Sequence, residues 1–256
     1  MNFRLAVINP NSDQAVTGYL RVAAARALPP GAAVEAAGCA GGPAVLETDL
    51  DSVLAAPAIV AAALRAGEPD AFVIGCFGNP AVAAVREVTA APVVGIGEAA
   101  LFQASLVAGR FGVITTLERG IAGIWSQLSA SGRAGACAGV LAAESVAPAD
   151  LRAAESPAGS GAAPARADGG LLARLTRQGS RLLSAGADGL VLACAGFGSC
   201  SDALADSLGV PVCDGIGAAA SLAYGLAVSG VRTSKRGRYA WPDAAALAAA
   251  GGPGAT

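Results

Sequence analysis

The chain contains no histidine. That absence removes Ser-His-Asp and Cys-His nucleophilic sites and every His-ligated metal centre, so acid–base chemistry must run on Cys, Asp, Glu, Lys or Tyr. Charge is also scarce. Only 14% of residues are charged, and 17 basic against 19 acidic side chains leave a net charge of −2. Such a balance offers no electrostatic footprint for nucleic acid or an anionic membrane surface. No cysteine pair has C-x-x-C spacing, and Cys194, Cys200 and Cys213 lack zinc-ligand spacing. The opening run Phe3–Ile8 reads as a strand, with no charged segment ahead of an apolar one, so no secretory signal is expected. The longest uncharged stretch, Gly215–Val231, is broken by four glycines and is too weak for a transmembrane helix. These absences predict a reducing cytoplasm with free thiols.

What is present is apolar: 54% of 256 residues are hydrophobic, enough for one large domain or two small ones. Strands are expected at Leu5–Ile8, Ala71–Gly75, Val93–Val94, Gly112–Ile114, Gly189–Leu192 and Pro211–Cys213. Ala-rich helical stretches lie between them: Asp13–Ala27, Asp51–Ala66, Pro80–Thr89, Glu98–Ala108, Glu118–Ala130, Leu171–Ala185, Asp202–Ser207 and Ala218–Ser229. Alternation of this kind predicts βαβ units around parallel sheets, and continuous apolar runs such as AFVIG and GLVLA fit strands covered on both faces.

The chain also repeats itself. Arg4–Ile8 (RLAVI) resembles Arg110–Ile114 (RFGVI). Asp70–Cys76 (DAFVIGC) resembles Asp188–Cys194 (DGLVLAC), with the same six-residue step from Asp to Cys, and PVVGIG at 92–97 resembles PVCDGIG at 211–217. Three matches in one order predict an α/β fold of two pseudo-symmetric Rossmann-like lobes, 1–105 and 106–230, with the active site between them. Residues 155–170, aperiodic and rich in Gly, Pro and Ala, read as a flexible insertion, and 231–256 as a C-terminal tail with frayed last residues.

In open α/β sheets, ligands bind at the carboxyl ends of strands. Cys76 and Cys194 each follow an apolar strand there. After Cys76, Asn79 and Pro80 suit a helix N-cap and first turn; after Cys194, Ser201 and Asp202 do. A helix N-terminus stabilises a thiolate and is expected to lower the cysteine pKa. Two thiols related by a pseudo-two-fold can remove a proton from one face of a substrate carbon and return it on the other, which is two-base racemisation without metal or cofactor. Buried structural cysteines are the bland alternative; the duplication and the missing histidine favour catalysis. Cys39, Cys137, Cys200 and Cys213 have no such pairing and read as core or loop residues.

Polar turns open both lobes, Asn9-Pro10-Asn11-Ser12-Asp13 and Thr115-Thr116-Leu117-Glu118. Capping alone accounts for Ser12, and Thr115 with Glu118 has capping-box spacing. Asn11 and Thr115 or Thr116 are expected to border the ligand. Two G-x-G-x-x-A matches, at 95–100 and 215–220, lack the acidic partner of a dinucleotide site and are set aside.

With these pieces the chain resembles the aspartate/glutamate racemase superfamily, most closely its hydantoin racemase branch. The matches are INPNS near the start, 42–59, GCFGNPAVAAVRE at 75–87, PVVGIGEAA at 92–100, FGVITT at 111–116, ADGLVLACAG at 187–196, 209–220 and TSKRGRYAWP at 233–242. The resemblance implies a cofactor- and metal-independent isomerase with Cys76 and Cys194 as opposed acid and base. It also implies backbone N–H groups after each cysteine, on Phe77, Gly78 and Asn79 and on Ala195 and Gly196, holding the substrate together with Asn11, Thr115 and Thr116. Asn79 departs from the acidic residue common in the hydantoin branch. The expected substrate is a 5-substituted hydantoin or related ureide, and a homo-oligomer is expected. The alternatives are an amino-acid racemase, maleate cis–trans isomerisation with the same two cysteines, and a small-molecule-binding protein without chemistry.

Overall fold

The computed structural model describes residues 3–143 and 170–249. The expected insertion lies outside these residues except for Gly170, and so does the end of the tail. The chain divides into two units, 1–96 with 219–256, and 97–218.

In the first unit the elements are β1 (Arg4–Asn9), α1 (Gln14–Arg26), β2 (Ala33–Gly38), α2 (Asp49–Arg65), β3 (Ala71–Ile74), α3 (Val82–Val88) and β4 (Val93–Gly95). Then follow α4 (Ile96–Val107), β5 (Phe111–Thr115), α5 (Ile121–Ala130), β6 (Cys137–Ala142), α6 (Gly170–Ser184), β7 (Gly189–Leu192), α7 (Ser201–Leu208), β8 (Val212–Asp214), α8 (Gly215–Val228) and α9 (Ala244–Ala249). Each unit holds a four-stranded parallel sheet of the same order, β2-β1-β3-β4 and β6-β5-β7-β8. The internal repeat of the sequence is therefore a repeat of topology.

The central strands carry the cores. Every residue of β3 and β7 is buried, as expected for parallel strands with helices on both faces. Around β3, Ile8, Phe72, Ile74, Ile59 and Val85 pack together; around β7, Ile114, Leu175, Leu182, Leu190, Leu192, Phe197 and Leu204 do. α2 starts at a capping box, Thr48 Oγ1 accepting from Asp51 N–H and the Asp51 carboxylate accepting from Thr48 N–H.

Three features differ from the sequence reading. β2 and β6, AVEAAG and CAGVLA, are strands the sequence did not announce. They are sheet edges rich in Ala and Gly, residues with little strand preference, and pairing with β1 and β5 decides them. Against the expected lobes 1–105 and 106–230, the division falls at 96/97 and 218/219. The last segment joins the first unit because it docks there. Tyr224 sits edge-on to Phe3 with ring centres 5.0 Å apart, Thr233 N–H and Oγ1 donate to the Ala90 and Ala91 carbonyls, and Lys235 Nζ donates to the carbonyls of Arg86 and Glu87 at 2.6 and 3.0 Å. Residues 231–241 thus form a strap over the end of α3 rather than a free tail.

Candidate active site

In the first unit Cys76 follows β3 by two residues, and Gly75 N–H is bonded to the Ile8 carbonyl at 2.8 Å. The carboxyl end of β3 therefore lies beside that of β1. The second unit repeats this: Ala193 N–H donates to the Ile114 carbonyl at 2.8 Å, setting Cys194 next to the end of β5 and its Thr115-Thr116 turn. Neighbouring strand ends thus carry Asn9 and Cys76 in the first unit and Thr115 and Cys194 in the second, while the Asn11 carbonyl accepts from Cys39 N–H at 3.0 Å and Ser12 N–H donates to the Pro43 carbonyl at 3.2 Å.

The Cys76 turn is not the expected helix start. α3 begins only at Val82, its N-cap is Ala81, and no side chain caps it. Asn79 is not an N-cap; it holds a tight turn through its N–H to the Cys76 carbonyl at 3.0 Å. Asn79 and Ala81 have φ of +52° and +55°, the left-handed region, which costs alanine about 1–2 kcal/mol. Cys76 and Asn79 are half-buried, Phe77 is buried and Gly78 exposed. The expectation of a lowered Cys76 pKa is corrected as well. Burial pushes the thiol up, and one N–H from Gly78 to the sulfur pulls it only part of the way back. With the helix end displaced by a five-residue turn, the field that would stabilise a thiolate is not aimed at the sulfur.

Cys194 is half-buried and extended, and stands directly before a 3-10 turn, Ala195–Cys200, that leads into α7. Phe197 N–H closes on the Cys194 carbonyl at 3.1 Å, with Ala195 half-buried and Gly196 buried. At the neighbouring end of β8 the Asp214 carboxyl accepts from Gly217 N–H at 2.8 Å. Burial raises its pKa, Gly217 and Ile216 N–H groups oppose that rise, and the Asp202 charge adds to it. Sequence reading missed Asp214 because it follows an ordinary strand run; its signal was an acid where the first repeat has Gly95.

The polar turns are more committed to structure than expected. Asn9, fully buried and also missed, donates its amide to Asn11 Oδ1 at 2.7 Å, Thr17 Oγ1 at 2.9 Å and the Asp13 carbonyl at 3.1 Å. Asn11 Oδ1 also accepts from Asp13 N–H at 3.0 Å, so the oxygen is spent on the turn and the NH2 is what Asn11 can present. Asp13, not Ser12, caps α1 through Ala15 N–H. Thr115 is the buried last residue of β5, and the short turn at Glu118–Gly120 has no side-chain cap, so the expected Thr115–Glu118 capping box is not formed. Thr116, one residue on, is half-buried.

The remaining cysteines are thiols suppressed by burial, with Cys39 and Cys213 pushed up to about 11 and Cys137 and Cys200 also raised. Among the described residues no cluster of Cys, Asp and Glu could hold a metal ion, and no helix is long and apolar enough to cross a membrane.

The sequence model for Asp/Glu/Hydantoin racemase matches residues 5–223. The chain is 35% identical over 247 residues to the hydantoin racemase of Rhizobium meliloti, covering 94% of this chain and 96% of that protein. It is 33% identical over 244 residues to the hydantoin racemase of Paenarthrobacter aurescens, covering 93% and 97%. Among solved structures it is similar to allantoin racemase from Klebsiella pneumoniae, with a TM-score of 0.83, 32% identity and 94% of each chain covered.

Proposed function

The chain belongs to the Asp/Glu/hydantoin racemase family and is an isomerase of the racemase type; within that family we propose that it racemises a 5-substituted hydantoin or related ureide, with Cys76 and Cys194 as the two proton carriers. The observation that carries this reading is the pair of cysteines at matched strand ends, each following a residue bonded in the same way to the neighbouring strand, in a chain about one-third identical to hydantoin racemases over nearly its whole length. The scarcity of cations favours a weakly charged ureide over a dicarboxylate.

The chemistry follows from the substrate. The ring C–H beside the carbonyl is acidified because its electron pair moves onto the carbonyl oxygen as an enolate. One thiolate takes that proton, and the opposite thiol delivers its own to the other face. The ring leaves as the opposite enantiomer, with thiol and thiolate exchanged. The Phe77 N–H after Cys76, the Ala195 and Gly196 N–H groups after Cys194, the Asn11 NH2 and the threonine turn are the donors for the enolate oxygen. Where Cys76 delivers the proton, its thiol form is ready; where it must act as base, it must first ionise, and that step eases as pH rises.

The test is incubation of each pure hydantoin enantiomer in deuterated buffer, following optical rotation and mass together against buffer alone. The wild type should racemise and label the ring carbon. Cys76→Ser and Cys194→Ser should each lose racemisation by about 10²–10⁴-fold, the usual worth of a positioned acid or base, while keeping exchange without inversion on opposite enantiomers. Both variants racemising at the wild-type rate would falsify the two-cysteine mechanism. If exchange appears only with aspartate, glutamate or maleate, the substrate class is wrong. Binding of hydantoins without exchange in any protein leaves a binding module.

A further inference from the structure

The two repeats solve one packing problem in different ways. At the end of the edge strand the register pairs Ile74 with Gly95 in the first unit and Leu192 with Asp214 in the second. In the second unit the space beyond that position is filled by the strand's own residue: Asp214 accepts from Gly217 N–H, and a side chain at Gly217 would meet its Oδ2 at 2.8 Å. In the first unit Gly95 has no side chain to offer. The carboxamide of Asn79 takes the space instead, so close that a methyl on Gly95 would overlap its oxygen and stand 3.1 Å from Val82 Cγ2. Asn79 reaches there only because its backbone is left-handed, a conformation asparagine tolerates better than most residues. The same turn sets Gly78 against the Cys76 sulfur, where a methyl on the glycine would stand 3.9 Å from Sγ, and Asn79 N–H closes the turn on the Cys76 carbonyl at 3.0 Å. Ala81, also left-handed and without an amide, shows that the turn is held against its backbone preference by contacts around it.

We propose that Asn79 is a positioning residue for Cys76: wedged against Gly95 in place of the missing strand side chain, it fixes the turn that holds Gly78 against the sulfur. Asn79 then acts through Cys76 rather than by touching substrate. What Cys76 does for turnover rests on the racemase reading; the positioning itself does not.

The contact is tested from both sides. Asn79→Gly keeps the left-handed backbone and removes the wedge; Gly95→Ala keeps the wedge and fills its seat. The readout is alkylation of Cys76 by iodoacetamide as a function of pH, resolved by peptide mass spectrometry, with the Cys194 peptide as internal reference. Either folded variant should alkylate Cys76 about tenfold more slowly at a given pH, with its profile moved to higher pH and the Cys194 profile unchanged within twofold. An unchanged Cys76 profile overturns the proposal. So does an equal change at Cys194, which marks general loosening. Failure of both variants to fold overturns it too, because the contact then serves the whole unit and not the sulfur. Thiol reactivity needs no turnover, so a wild type inactive on hydantoins with a shifted Cys76 profile in the variants would sink the hydantoin reading alone.

Discussion

Replacing Gly75 by alanine would put a methyl carbon 2.6 Å from Leu20 Cδ1 and 3.3 Å from the Ile8 carbonyl oxygen. Relaxed carbon contacts lie at about 3.5–4.0 Å, so something must move by about 1 Å. Leu20 is fully buried and has little room to retreat. The end of β3 can move instead, stretching the 2.8 Å bond from Gly75 N–H to Ile8 and carrying Cys76 with it. Overpacking of this kind costs about 1–3 kcal/mol. A displacement of about 1 Å at a proton-transfer group costs up to about 10²-fold in rate. The second repeat already has an alanine there, Ala193, which marks the restriction as local to Leu20. The assay pairs denaturant unfolding with the deuterium-exchange rate for Gly75→Ala, Leu20→Ala and the double variant. Leu20→Ala alone should destabilise by about 2–5 kcal/mol. In the double variant the added methyl should enter the space vacated, giving a favourable coupling of at least about 1 kcal/mol and partial recovery of rate. Additive losses, or a Gly75→Ala protein within about 0.5 kcal/mol and twofold of wild type, would refute the steric argument. Lost stability with native activity would mean that Leu20 yields and the strand does not.

Because burial holds the Cys76 thiol above its ordinary 9.0, turnover in the direction where Cys76 is the base should rise about tenfold per pH unit between about pH 7 and 9, and a maximum below neutrality in kcat/KM would contradict this. The Asp188 carboxylate accepts Gly109 and Arg110 N–H groups at 3.0 and 2.8 Å, which hold its pKa below the ordinary 3.8. A depressed folded value means stability present above about pH 4 and lost as pH falls through the folded pKa. Asp188→Asn should therefore unfold along a flatter acid limb than wild type, and superimposable limbs would remove the carboxylate from the account. Lys235→Met keeps the aliphatic stem but loses bonds to three carbonyls and the position 4.0 Å over the Trp241 ring centre. Allowing for partial exposure, about 1–2 kcal/mol should be lost, with faster amide exchange confined to α3 and 231–241; exchange spreading through the sheet would show a different role.

Local pattern was enough to read the parallel α/β class, the duplication and the two strand-end cysteines. Apolar runs of four residues, buried on both faces, can be little other than central parallel strands, and Asp-to-Cys spacing carries through any repeat. The family was legible for the same reason, since the matching pieces sit on those strands and on the turns that follow them. Edge strands β2 and β6 were not legible: Ala and Gly leave the choice to a neighbour distant in sequence. Nor was the start of α3, where Asn79-Pro80 reads as a cap and first turn but space above Gly95 draws the asparagine away. The strap at 231–241 looks like a tail until its one lysine meets carbonyls about 150 residues earlier, a separation of 149 for Arg86. The acidity of Cys76 belongs to the same class. Sequence proposes a helix start beside the sulfur, and only the packed structure decides that burial raises the pKa instead, because the cost of burying charge depends on every atom around the sulfur and not on its neighbours along the chain.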